Sequence, residues 1–386
     1  MKQIWRQLRA VRGSPFGPSR LTGSLFLIGL IACFAIRVSA TSTPIYSVTD
    51  LGVIPGMDAS EPAAINAQGH VVGTASGAPG KCVFMAHEGK IEDISGLGSR
   101  GFGLSLAGLV VGDSAFHAQN EMVTHAAIFK EGTKRDLGAL KGGIYSRANG
   151  INVFEQVVGF SGPKRDSEAS RAFVWSAFTG MLDIGTLDGP YAQAWAVNDA
   201  GFVTGTAQTT DAFIGATHAF LYQIPTLGKK YVKPMLDLQT LGGVSSYGLA
   251  INAYNHVVGY SELSPTHDRI HAFFYRDGKL VDLGSLAAGN QESDNSAALG
   301  INSADQVVGY TYMAFGGNAS AVRQVAFICD LSGTSEVVMT DLNQFIGKAA
   351  RRYWLISAMA ISDKGQIVAT AFDQKLGTYR AVLLTP

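Results

Sequence analysis

Cysteine is almost missing from this chain, with three in 386 residues, and charged residues make up only 16% of it. So few cysteines exclude a disulfide-built scaffold, and none stands at metal-ligand spacing. Beyond the first forty residues only Cys82 and Cys329 occur, each inside a short apolar run. They read as two buried thiols, with a bridge between them left open. Clustered basic charge is missing too. Residues 1–40 hold Lys2, Arg6, Arg9, Arg12, Arg20 and Arg37 and no acidic residue, so the rest carries 24 basic residues against 30 acidic. A mildly acidic body lacks the Lys and Arg patch that neutralises phosphates, which excludes a nucleic-acid partner. The chain also lacks a Gly-x-Ser-x-Gly elbow, a His-Glu-x-x-His pair and an EF-hand loop. Gly96-Leu-Gly-Ser-Arg-Gly101 fits a dinucleotide pattern but sits in a short loop with no helix after it. No cofactor and no metal are expected.

What is present begins with the N-terminus. The basic stretch leads into an apolar run from Leu21 to Ile36 and the small-residue ending Val38-Ser39-Ala40. This is the layout of a secretory signal over residues 1–40, with a mature domain over 41–386. The run falls short of the roughly twenty residues that span a bilayer. A retained anchor and a lipid anchor at Cys33, within Leu30-Ile31-Ala32-Cys33, stay open as alternatives. The expected location is secreted, extracellular or periplasmic.

Glycine is abundant, at 46 residues, and apolar residues reach 47%. That composition suits a well-buried β-rich fold. Its organisation is a repeat. A short apolar run ends at Asn66, Ser105, Asn152, Asn198, Asn252, Asn302 and Ser362. Three residues later stand Gly69, Gly108, Glu155, Gly201, Asn255, Asp305 and Gly365, and four further on Gly73, Gly112, Gly159, Gly205, Gly259, Gly309 and Ala369. Asn and Ser side chains fold back on turns, while Gly, Asn and Asp tolerate positive φ, so each copy opens with a tight hairpin. Glu155 is the misfit and predicts another turn type there.

Two further apolar runs follow in each copy, reading as a third and a fourth strand. The fourth carries an aspartate at Asp93, Asp136, Asp183, Asp237, Asp282 and Asp341, with the seventh at Asp50, ahead of any first strand. The chain ends just after a third strand at Arg380 to Leu384. The loose ends complement each other, which predicts an all-β, seven-bladed β-propeller of four-stranded antiparallel blades. The N-terminal strand closes it against the C-terminal one.

His-Ala-Phe at His218 and His271, Gly-Ile-Asn at Gly150 and Gly300, Gln-Val-Val-Gly at Gln156 and Gln306, and Asp-Leu-Gly at Asp50, Asp136 and Asp282 resemble the HAF repeat of bacterial extracellular proteins. The resemblance covers residues 46–385 and implies a secreted bacterial repeat protein with no established activity. The histidine position also holds Cys82, Arg171, Val325 and Arg380, which argues against a shared catalytic or metal role.

First-to-second and third-to-fourth strand turns lie at one end of the ring, and the longer, unequal connections at the other. Function sits on loops held by a rigid scaffold. Aromatics recur before the first strands, at Phe102, Tyr145, Tyr191, Tyr247 and Tyr353-Trp354, and predict a platform at the channel mouth for sugar or peptide. Packing of these rings between blades is the competing reading. Arg351 and Arg352 beside Trp354 suggest a place for an acidic ligand, against a plain solvated pair. The repeated aspartates and histidines read as blade construction. The expected function is a monomeric, non-enzymatic scaffold that binds carbohydrate or protein. The alternative is a polysaccharide hydrolase or lyase using loop carboxylates among Asp58, Glu61, Asp188, Glu292 and Asp294.

Overall fold

The turn that opens each repeat is built by one side chain. Asn66 accepts backbone N–H bonds from Gln68 at 3.1 Å and His70 at 3.0 Å. Asn152, Asn198, Asn252 and Asn302 accept in the same way. The hydroxyls of Ser105 and Ser362 do so for Leu109 and Gln366. Three residues beyond the turn residue the backbone is left-handed in every copy, including Glu155 at φ 58°. The expected different turn at Glu155 is therefore corrected. The Asn152 bonds impose the same geometry on a residue that has no preference for it, at a cost of roughly 1–2 kcal/mol.

The computed structural model describes residues 46–118, 121–164, 169–209, 216–225, 234–287, 293–315, 318–333 and 337–386. The N-terminal signal segment and Cys33 lie outside them. The described chain is all β, with 28 strands and two short 3-10 turns at Leu342–Phe345 and Gly347–Arg351. Among the described residues no helix is long and apolar enough to cross a membrane.

In the middle of each repeat the first strand slips register by one residue, as between Gly248 and Ala250 and between Ala298 and Gly300. The bulge turns a carbonyl onto the second strand. A Cβ on Gly259 would stand 1.7 Å from the Tyr247 carbonyl oxygen, and one on Gly309 2.0 Å from that of Ala297. The recurring glycine of Val-Val-Gly thus serves close backbone approach and not turn conformation. In the last repeat Ala369 takes this place, and there the first strand carries an additional slip between Leu355 and Ser357.

Strands run as antiparallel meanders arranged as a β-propeller. Five sheets stand alone with four strands each, and the residues between Ser99 and Asp183 form one sheet of eight. This corrects the expectation of separate four-stranded sheets throughout. The long strand Glu121–Lys130 reaches the first strand of the next repeat and pairs with it in parallel at Thr124 and Tyr145. Ring closure is as expected. Ser47–Asp50 pairs antiparallel with Thr378–Thr385, from Ser47 opposite Thr385 to Asp50 opposite Val382. Each first strand touches the next, and Tyr353–Ile361 returns to Ala59–Ile65. The core lies between neighbouring repeats, around the fully buried Phe84, Phe129, Phe173, Phe220, Phe273 and Phe327. Each contributes about 1.5–3 kcal/mol by burial. Cys82 and Cys329 are buried and unbridged, and burial pushes both thiols up to about 11.

Two features hold one repeat to the next. At the turn end the asparagine amide donates to the turn carbonyl of its neighbour: Asn66 to Ser105, Asn152 to Asn198, Asn198 to Asn252, Asn252 to Asn302 and Asn302 to Ser362, at 2.9–3.3 Å. At the other end a buried serine stitches the first strand to the preceding repeat. Ser146, Ser246 and Ser296 accept from the third-strand N–H of Ala126, Ala219 and Ala272 and donate to Gly138, Gln239 and Gly284. Ser60 does the same across the closure, to Ala381 and Gly52.

Asn252→Ala and Gly259→Ala are each expected to lower the free energy of unfolding by roughly 1–3 kcal/mol, the first through a lost buried amide bond and the second through a clash. Urea unfolding of the mature domain reads both. Unchanged midpoints would contradict these roles.

Candidate functional site

The residue after the buried serine position pairs with the residue after the second-strand glycine, and this pair differs from repeat to repeat. The pairs are Glu61 with Thr74, Arg100 with Asp113, Arg147 with Phe160, Gln193 with Thr206, Tyr247 with Tyr260, Ala297 with Tyr310 and Ser357 with Thr370. They lie on the two innermost strands, and side chains from repeats two apart meet there. Such contacts are possible only on the axis side of the intervening strand.

One arc is centred on Arg147. Its guanidinium lies 3.5 Å from the centroid of Phe102, in the preceding repeat, and 5.6 Å from that of Trp195, in the following one. Phe160 stands 6.4 Å from Trp195 and 5.9 Å from Tyr145. Tyr145 is buried and its hydroxyl donates to Asp113 at 3.2 Å, while Arg100 also pairs with Asp113 through Nε at 2.8 Å. Tyr145 therefore serves an inter-repeat network, as the packing alternative anticipated.

The second arc is centred on Tyr260. It stacks on Tyr247 at 4.6 Å with planes 20° apart. Burial first, and then neighbouring Tyr247, Tyr310, Tyr191 and Glu262, hold its phenol far above the ordinary range. Burial likewise pushes Tyr310 up to about 12. Tyr310 and Tyr312 meet edge to face at 6.2 Å. Tyr191 and Tyr247, both half-buried, thus converge with three tyrosines of the second strands, and all five phenols stay neutral donors near neutral pH.

The last repeat is separate. Arg352 is held by buried Asp373 at 2.8 Å, with Asp50 at 3.7 Å, and lies over Tyr353 at 4.8 Å. Its charge is thereby matched, and only Arg351 is an exposed cation without a printed carboxylate. Trp354 donates Nε1 to the Gln324 carbonyl at 3.0 Å and stacks with Arg323 at 5.5 Å. The stretch Tyr312 to Gln324, read as a loop, is a paired ribbon in which Met313 faces Arg323 and Ala314 faces Val322.

Among the carboxylates, Asp58, Glu61 and Asp188 are exposed, Glu292 lies outside the described residues, and Asp294 is engaged. Asp294 bonds His271 Nε2 at 3.1 Å, Arg269 at 3.2 Å and the Ser285 hydroxyl at 2.5 Å, while His271 Nδ1 faces Asp282 at 2.8 Å. Fourth-strand aspartates do one job throughout. Each accepts the N–H two residues on, and Asp136, Asp183, Asp237 and Asp282 also pair with His125, Arg171, His218 and His271. Two features were missed from sequence. The serine stands six residues before the turn residue in five copies, and the variable residue follows the recurring glycine. Both periodicities were available.

Residues 85–380 match the model of a family described as a protein of unknown function, DUF3466. No curated protein matches the chain.

The His271 clamp makes a pH prediction. Burial pulls the imidazole down, but Asp282 and then Asp294 outweigh it and leave its pKa raised. Burial lifts Asp294, but Ser285, His271 and Arg269 outweigh it and leave it lowered. The histidine contribution is full below about pH 6.5 and is lost as pH rises through the raised folded value, whereas the Asp294 contribution is lost in acid. The melting-temperature gap between wild type and His271→Ala should be wider at about pH 5.5 than at about pH 8.5. A gap independent of pH would contradict the clamp.

Proposed function

We propose that this chain, which belongs to the DUF3466 family, is a non-enzymatic, monomeric binding module that engages carbohydrate or protein through the axis-facing side chains at the loop end of its channel. The observation that carries this reading is the gathering of Tyr191, Tyr247, Tyr260 and Tyr310 from three successive repeats around one phenol. Neutral phenols offer flat apolar faces and hydrogen-bonding rims together, which suits sugars and polar peptide segments. The second arc, where Arg100 is matched by Asp113, bounds the same wall.

The ring is read as seven-bladed, with the eight-stranded sheet counting as two blades. Support comes from its internal order: two four-strand meanders share only the Thr124–Tyr145 pairing. The HAF-repeat resemblance places the module outside the cytoplasm, exported by residues 1–40, with lipidation at Cys33 or retention as an anchor as alternative fates of that segment.

Glycan-array and pull-down screens of residues 41–386 test the reading. Tyr247→Ala should lose binding by about tenfold or more, since it removes the stacked partner of Tyr260. Trp354→Ala, whose ring is tied to Gln324, should bind as wild type does. Wild-type binding that survives both Tyr191→Ala and Tyr247→Ala would overturn the assignment.

A further inference from the structure

The bulge in each first strand leaves one residue without a cross-strand partner, and in two adjacent repeats these residues are Asn149 and Trp195. Asn149 is only 7% exposed, and its amide nitrogen donates to the carbonyl of Ala194 at 2.8 Å, the residue immediately before Trp195. That bond sets the two side chains alongside each other. The Asn149 Oδ1 acceptor and the Trp195 Nε1 donor are nonetheless buried without any hydrogen-bond partner. Buried polar atoms of folded proteins are nearly always satisfied by protein, water or ligand. Here an acceptor and a donor stand together on the axis side, in the arc that also holds Phe102, Phe160 and Arg147.

We infer that the channel binds a neutral oligosaccharide, whose hydroxyl groups meet Asn149 Oδ1 and Trp195 Nε1 while its sugar faces stack on the Tyr247–Tyr260 wall. This deepens, and rests on, the reading of the chain as a binding module. A hydroxyl both donates and accepts, which matches one open acceptor beside one open donor. A pyranose also presents a C–H face to an aromatic ring, and the tyrosine wall continues from Tyr191, on the same strand as Trp195, to Tyr310.

Charge favours a neutral sugar over an acidic one. Glu262 is the carboxylate that bears on Tyr260, and it is fixed there by accepting the N–H groups of Val244 at 3.0 Å and Ser245 at 3.1 Å. The cation nearest the Tyr145 side, Arg100, is already matched by Asp113. A uronate would meet Glu262 without an open cation on that arc.

Calorimetric titration of residues 41–386 with cellohexaose, maltohexaose, chitohexaose and hexagalacturonate tests the inference. At least one neutral hexamer should bind. Trp195→Phe keeps the ring and removes the donor, and Tyr260→Phe keeps the stack and removes a hydroxyl. Each should weaken that binding by about tenfold with an unchanged melting temperature. Tighter binding of hexagalacturonate, or neutral binding untouched by both variants, overturns the inference. A protein captured in the pull-down with no hexamer bound overturns the sugar and leaves the module. If neither sugar nor protein binds, the module reading falls as well.

Discussion

The turn asparagine has two ends, and the architecture uses both. Its oxygen closes the hairpin of its own repeat, and its nitrogen reaches the turn carbonyl of the next, so local turn geometry and the spacing between repeats are set by one planar group. Shortening or flipping that side chain would cost both functions at once. Two junctions lack the amide, because serine stands at 105 and at 362. At each, another link crosses. After Ser105 the Thr124–Tyr145 bridge and the bonds of Tyr145 with Asp113 and Arg100 join the repeats. After Ser362 the chain end passes Ser60, whose hydroxyl ties Ala381 and Gly52. The merged eight-stranded sheet is thus placed where the asparagine is absent.

Much of this was legible in the sequence because it depends on local chemistry. Turn residues at fixed offsets, and a fourth strand before any first strand, were enough to anticipate the meanders and the pairing of Ser47–Asp50 with Thr378–Thr385. What escaped is what depends on contacts between strands. The glycine of Val-Val-Gly looked like turn chemistry, and only the bulged carbonyl of Tyr247 or Ala297 lying over it reveals a steric reason. Glu155 looked like a misfit because its own propensity was weighed without the Asn152 bonds that override it. The ribbon at Tyr312 to Gln324 looked like a loop because its pairing partner lies across a hairpin of unusual length.

The candidate site was half visible for the same reason. Tyr191 and Tyr247 stood out as aromatics before or within the first strand, but their partners Tyr260 and Tyr310 hid inside Val-Val-Gly-Tyr, where the glycine drew attention and the next residue did not. Tyr145 and Arg352 carried the right chemistry but are occupied by Asp113 and Asp373. Proximity in sequence to a channel mouth does not reveal which side chains already have partners.

The variable pair follows from how the ring is built. It lies between a buried serine that fixes the first strand and a glycine that admits a carbonyl, both required by the backbone. The side chains between them can change without moving either strand. Tyr247 opposite Tyr260 puts two stacked rings on the wall, whereas Ala297 opposite Tyr310 leaves one ring beside open space. Glu61 with Thr74, and Ser357 with Thr370, are small or polar and leave the other side of the channel without rings. Recognition in such a molecule depends on side-chain identity around a rigid axis, so its asymmetry arises from pairs that differ within copies that otherwise agree.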